Sequence, residues 1–141
     1  MRLDPRLALL AAGVWAGAAR GEPQDVLPSP LRRLYEEGAA LEARGSYAAA
    51  ATAYRVVANN APNWHGAALD LGRVLVADGR VEQALELYAS MPYDADAVEA
   101  YGRLLAADGR GAEAAVAFRK LRDLRPEWPG SRLLEAAARA E

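Results

Sequence analysis

Two ten-residue stretches, Leu71–Arg80 and Tyr101–Arg110, begin 30 residues apart and agree at seven positions. The shared residues are Gly, Arg, Leu, Ala, Asp, Gly and Arg, in the same order. Near-copies at such a period mark stacked supersecondary units, each burying an apolar face that it cannot bury alone. This feature restricts the chain to a short helical repeat protein, with hairpins closed by glycine turns.

From Leu31 onward the pattern helix, glycine turn, helix occurs three times. The first helix is expected over Leu31–Arg44, with Leu34, Gly38 and Leu41 on one stripe and Gly45 as a left-handed C-cap. Its partner runs Tyr47–Asn59 with Ala50, Tyr54 and Val57 inward, and Pro62 breaks the chain. The second hairpin starts near Trp64, carries Ala68, Leu71, Gly72 and Leu75, and stops at Gly79. Its partner, Val81–Ser90, holds Ala84, Leu87 and Tyr88 and is cut short by Pro92. The third starts near Ala95 with Val98, Tyr101, Gly102 and Leu105, stops at Gly109, and pairs with a helix carrying Ala114, Phe118 and Leu121 that ends before Pro126. A last helix over Gly130–Ala140 shows Leu133, Leu134 and Ala137 as one narrow apolar face, with Arg132, Glu135 and Arg139 off it. A helix apolar on one side suits the closing end of a stack.

Gly38, Gly72 and Gly102 fall mid-helix, where Gly costs about 1 kcal/mol against Ala. Equivalent costs at equivalent places need a common cause. The expected cause is close approach of the paired helix through its own small residue, Ala50, Ala84 or Ala114, with the aromatic Tyr54, Tyr88 or Phe118 one turn further along.

These residues resemble the tetratricopeptide repeat, W-x₂-L-G-x₂-Y…A-x₃-F…P over about 34 residues. Its glycine falls on Gly38, Gly72 and Gly102, its alanine on Ala50, Ala84 and Ala114, its second-helix aromatic on Tyr54, Tyr88 and Phe118, and its proline on Pro62 and Pro126. The leading tryptophan is replaced by Leu34, Ala68 and Val98, and the tyrosine by Leu41, Leu75 and Leu105. The resemblance implies an all-α fold, a right-handed α-solenoid of about three helix-turn-helix hairpins with a C-terminal capping helix. The repeats would occupy about 31–64, 65–94 and 95–128, and the cap 130–140. The middle unit is 30 residues long with an early Pro92, so its second helix is expected one turn short, which leaves a notch at one edge of the stack.

First helices in this family line a concave groove for peptides or partner helices. By resemblance the groove residues are Arg32, Tyr35, Ala39 and Glu42, then Leu69, Arg73, Val76 and Ala77, then Asp96, Glu99, Arg103, Ala106 and Ala107. Arg73 and Arg103 are the matching arginines of the two decapeptides. They either grip a partner's carboxylate together or pair with nearby acids, as Arg103 would with Glu99 four residues earlier. The Lys and Asn set with which some members clamp a C-terminal carboxylate is missing: Tyr35, Ala39, Asp70, Asp96 and Ala100 stand in its places. Trp64 and Trp128 fall at equivalent junctions between hairpins.

The segment ahead of the helices has another character. Arg2 and Arg6 precede 13 uncharged residues, Leu7–Ala19, which end in small side chains. Basic start, apolar middle and small-residue ending make a signal-peptide pattern. The stretch is short of the roughly 20 residues a spanning helix needs. Residues 1–21 are therefore expected to be a signal peptide or an N-terminal anchor, which opens a membrane association through residues 7–19. Residues 22–30, with Pro23, Pro28 and Pro30, read as a linker, and 31–141 as the helical domain. Ser29 is the expected N-cap of the first helix and Pro30 its first residue.

Composition narrows the chemistry. A net charge of −2 argues against phosphate neutralisation, hence no nucleic acid. The absence of Cys removes disulfides, thiolate catalysis and thiolate metal sites. The single His, His65, beside few serines leaves no adjacent nucleophile and base. Tyr93-Asp94-Ala95-Asp96 reads as N-capping charge and not as a metal loop. Catalytic residues, cofactors and metals are all expected to be absent. The expectation is a non-catalytic protein–protein interaction module, a scaffold or assembly factor binding another protein or a peptide. It would be periplasmic or membrane-associated in a bacterium if the N-terminal signal operates, and cytoplasmic otherwise. The alternative is an accessory subunit of a larger membrane complex, retained through its apolar N-terminus.

Overall fold

The computed structural model describes residues 26–140; the signal or anchor segment lies outside them. Among the described residues there are seven helices and no strand: α1 Ser29–Ala43, α2 Tyr47–Asn60, α3 His65–Ala77, α4 Val81–Ala89, α5 Ala95–Ala107, α6 Gly111–Leu124 and α7 Gly130–Ala140. The chain divides into two compact units, Met1–Arg80 and Val81–Glu141.

One turn device ends α1, α3 and α5. Gly45, Gly79 and Gly109 have φ of 77°, 80° and 79°, a left-handed conformation that Gly adopts without a Cβ penalty. Around each, two backbone bonds close a Schellman motif. Ser46 N–H reaches Leu41 O at 2.9 Å and Gly45 N–H reaches Glu42 O at 2.9 Å; Arg80 to Leu75 at 2.8 Å and Gly79 to Val76 at 3.0 Å repeat it. The third copy is Arg110 to Leu105 at 2.8 Å and Gly109 to Ala106 at 3.1 Å. The recurring Asp-Gly-Arg of the decapeptides is this turn.

In the first unit, α2 packs against both α1 and α3. Leu31 and Leu34 of α1, Ala53, Val56 and Val57 of α2 and Ala67 of α3 form its core. Leu27 joins them at 6% exposure, so the expected linker is docked at its end. Arg32 fastens it, donating from Nη2 to Leu27 O at 2.9 Å. Ser29 is not the N-cap. Pro28 holds that place, its carbonyl accepting from Arg32 N–H at 2.8 Å, and Ser29 and Pro30 are the first two helical residues. Proline is tolerated there because the first N–H groups of a helix have no intrahelical acceptor.

In the second unit, α6 packs against α5 and α7. Val98, Leu105, Ala114, Phe118 and Leu121 are at its centre. Asp94 caps α5, its Oδ1 accepting from Ala97 N–H at 3.1 Å. The helix α4 has 9 residues, against 14 in each of α2 and α6. It is shorter by slightly more than one turn, as the early Pro92 predicts.

Two expectations need correction. First, at Gly38 and Gly102 the nearest atoms across the hairpin belong to the aromatic residue and not to the paired alanine. A Cβ on Gly38 would lie 2.9 Å from the Tyr54 ring and 3.3 Å from Ala53 Cβ, and one on Gly102 only 2.5 Å from the Phe118 ring. At these two places glycine is needed because an aromatic ring packs against the backbone. Second, α7 is rotated from the expected face: Leu134 packs against the core, but Leu133 and Ala137 are exposed. Ser131, Glu135 and Ala138 face inward at 0%, 4% and 5% exposure, while Leu133 is 73% exposed. The cause is electrostatic. Glu135 accepts from Arg122 Nη1 at 3.0 Å and from Arg119 Nε at 3.4 Å, both on α6, and from Arg139 Nη2 at 2.5 Å. Three cations around one carboxylate satisfy its burial, and Ser131 Oγ donates to Trp128 O at 3.0 Å.

The ring-on-glycine contact gives a direct test. Gly102→Ala should lower stability by about 1–2 kcal/mol, since overpacking against Phe118 exceeds the gain in helix propensity. Thermal melts should show a fall of about 3–6 °C, and Phe118→Leu in the same chain should recover part of it. Additive losses in the double variant would break the argument.

Candidate functional site

Within the first unit, three helices enclose an open pocket of about 550 Å³. Tyr35, Ala39, Glu42 and Ala43 come from α1, Tyr47 and Tyr54 from α2, and Asp70, Arg73 and Ala77 from α3. Residues 35, 39 and 42 are four and three apart, so they stand on one helical face. The same spacing aligns Asp70, Arg73 and Ala77.

A polar network lines the wall. Arg73 forks onto Glu42, with Nη1 to Oε1 at 2.7 Å and Nη2 to Oε2 at 3.1 Å, and its Nη2 also meets Asp70 Oδ1 at 2.7 Å. Tyr54 Oη donates to Glu42 Oε2 at 2.9 Å, and Tyr35 Oη donates to Asp70. Glu42 therefore ties α1 to both α2 and α3. The rings continue outward from this network. Tyr35 lies 5.3 Å from Tyr54, tilted by 48°, and 4.8 Å from Trp64, edge to face. Such pairs contribute about 0.5–1.5 kcal/mol beyond area burial.

Burial, reinforced by the hydrogen bond to Asp70, pushes the Tyr35 phenol up to about 12. Burial and the bond to Glu42 raise Tyr54 as well. Both phenols stay protonated at neutral pH, with their protons directed at carboxylates.

The expected groove residues separate into distinct settings. Tyr35, Ala39, Glu42, Arg73 and Ala77 meet at the pocket. Arg32 holds Leu27 instead. Leu69 is half-buried and Val76 is 36% exposed, neither of them in the pocket wall. Glu99 and Arg103, in the second unit, pair with each other at 2.9 Å. Glu99 also takes Arg125 Nη1 at 3.3 Å, and Arg125 reaches on to Asp96. Both arginines of the decapeptides thus carry carboxylates of their own chain.

Sequence reasoning missed Asp70 and Tyr47 as pocket residues. Asp70 was visible as the acid three residues before Arg73. A further signal is Trp-x-Gly at 64–66 and 128–130. A Cβ on Gly66 would stand 3.1 Å from the Trp64 ring, and one on Gly130 2.4 Å from the Trp128 ring. Both indoles are half-buried in helix junctions by folding over the next helix start. His65 is exposed at the first residue of α3. Among the described residues no group of three or more His, Cys, Asp or Glu is placed to hold a metal ion.

No family model matches the sequence, and no curated protein matches it. Solved structures do match. One is the type III secretion chaperone SycD of Yersinia enterocolitica in complex with a peptide of the translocator YopD. It has a TM-score of 0.64 and 18% identity, over 81% of this chain and 90% of that one. PcrH in complex with the chaperone-binding region of PopB gives 0.63 and 21%, over 82% and 96%. A MamA RS-1 double mutant gives 0.60 and 28%, over 86% and 68%. The fold is therefore all-α and of the tetratricopeptide-like α-solenoid class.

The Tyr35 phenol sets an alkaline signature. Unfolded, it titrates near 10; folded, it holds its proton to about 12. The folded state binds the extra proton between those values, so stability is intact below pH 10 and falls as pH rises through the window. Spectrophotometric titration should show late phenolate formation, and Tyr35→Phe should remove one late-titrating group. An unchanged late phase in Tyr35→Phe would contradict the Asp70 contact.

Proposed function

We propose that this protein is a non-catalytic interaction module that binds a peptide, or an extended segment of a partner protein, at the pocket walled by α1, α2 and α3. The observation that carries the reading is the pocket itself. It is open, lined by three tyrosines and three alanines, and built on rigid helices. Tyrosines supply large, stiff contact area with few rotatable bonds, and small alanines leave room for a chain to lie between them. Support from likeness comes from SycD and PcrH, both solved with peptide segments of the proteins they bind. Scaffolding or assembly of other proteins is the role this reading favours.

We place the protein in the bacterial envelope, exported or held at the membrane through Leu7–Ala19. Support comes from the basic start, apolar middle and small-residue ending of that segment. Among the described residues no helix is long and apolar enough to cross a membrane, so retention would rest on the N-terminus. Retention would also suit an accessory subunit of a larger membrane complex.

Ala39 is exposed on the pocket wall, so Ala39→Trp should fill the space without touching the core. Panning a random peptide library on the full chain should give binders whose calorimetric affinity falls at least about tenfold in Ala39→Trp, with little change in Tm. No binders, or binders indifferent to Ala39→Trp, would end the reading. For location, N-terminal sequencing of protein from the native host should find a mature start at Ala19 or Glu22 for export. An intact Met1 in the membrane fraction identifies an anchor, and an intact Met1 in the soluble cytoplasmic fraction removes both.

A further inference from the structure

The charge on the pocket wall selects among peptides. Glu42 and Asp70 bring two negative charges and Arg73 one positive, so the network carries about one net negative charge. Arg73 already spends its fork on both carboxylates. A visiting carboxylate would have to compete with them and approach a site of its own sign. A visiting cation meets the opposite situation. Each carboxylate oxygen has lone pairs beyond those used. The tyrosine rings add negative π-faces that attract ammonium and guanidinium groups. The protein shows the same chemistry elsewhere, where Lys120 Nζ lies 5.5 Å from the Tyr93 ring centroid.

We infer that this pocket takes a basic side chain, a Lys or Arg of an extended peptide, against the Glu42–Asp70 carboxylates and the Tyr35 and Tyr47 rings. The inference rests on the peptide-binding reading and adds the class of residue the peptide must present. Arg73 acts as the partial counterweight. It keeps the two acids apart and in place while leaving the charge balance negative. Glu42 and Asp70, at 21% and 22% side-chain exposure, are covered enough to be weakly screened and open enough to be reached.

The test uses the sequences recovered by panning the random peptide library on the full chain. Lys or Arg should be enriched at one position. Replacing that residue by Gln in a synthetic copy should weaken calorimetric binding about threefold to fivefold, the effect of one part-exposed charge pair. Glu42→Gln should weaken the basic peptide by a similar factor, and Arg73→Gln should strengthen it. Raising salt from about 50 to about 500 mM should narrow the difference without erasing it, as expected for a part-covered charge pair. Because Glu42 also holds helices, circular dichroism melts of each variant separate loss of fold from loss of charge. Opposite effects of Glu42→Gln and Arg73→Gln on one peptide cannot come from unfolding. Binders that are acidic, or apolar with no enriched Lys or Arg, overturn this inference while leaving peptide binding intact. A basic residue whose affinity ignores both variants overturns it as well. Recovery of no binders at all removes the peptide-binding reading and this inference together.

Discussion

An aromatic ring packed on a glycine backbone joins α1 to α2 and α5 to α6. In the first unit Tyr54, 1% exposed, covers Gly38; in the second Phe118, 2% exposed, covers Gly102. The helices approach as closely as they do because no Cβ stands between ring and backbone. Everything that lines the pocket is measured from this contact. With the Tyr54 ring seated on α1, its hydroxyl arrives at Glu42 one turn further on. Glu42 then collects Arg73 from α3, and Arg73 in turn fixes Asp70. Phe118 occupies the equivalent place in the second unit but has no hydroxyl. The place equivalent to Glu42, four residues after the glycine, is Ala106 there, while Glu99 pairs with Arg103 on its own helix and with Arg125 at the end of α6.

The two decapeptides make the same point from the charged side. Arg73 and Arg103 are the same letter in the same motif, yet their surroundings differ. Arg103 finds its acid four residues away, a local pair of the kind any helix surface offers. Arg73 finds one acid three residues away and another 31 residues away. The second contact turns a surface charge into a brace between helices. Its fork geometry suits two carboxylate oxygens at once, which a lysine could not match.

The parts legible in the sequence were those set by local chemistry. Gly45, Gly79 and Gly109 announce helix ends because only a left-handed residue completes the turn, and the helix positions follow from them. The short α4 was legible through Pro92. What escaped was decided at a distance. The inward face of α7 looks like Leu133 and Leu134 on its own periodicity, but Arg119 and Arg122 of α6 draw Glu135 inward and leave Leu133 in water. Pattern reading ranks leucine above glutamate for burial because it cannot see which cations await. Likewise Gly38 and Gly102 are legible as close approaches, while their nearest neighbour is the ring and not the paired alanine. The alanine matches by motif position, but the ring four residues later is long enough to reach back over the backbone. For the pocket, Tyr35, Ala39, Glu42, Arg73 and Ala77 came from the family resemblance, whereas the internal neutralisation of Arg73 depends on a contact between α1 and α3 that no spacing displays.

Trp64 stands edge-on to Tyr35 at 4.8 Å, and Tyr35 is a wall of the pocket. The indole therefore sits one ring removed from whatever enters, within the field of the carboxylate network. Any displacement or re-orientation of that phenol alters the local field at the indole and hence its emission colour. Under the proposed peptide binding, Trp64 emission would report the filling of the pocket, against a constant background from Trp15 and Trp128.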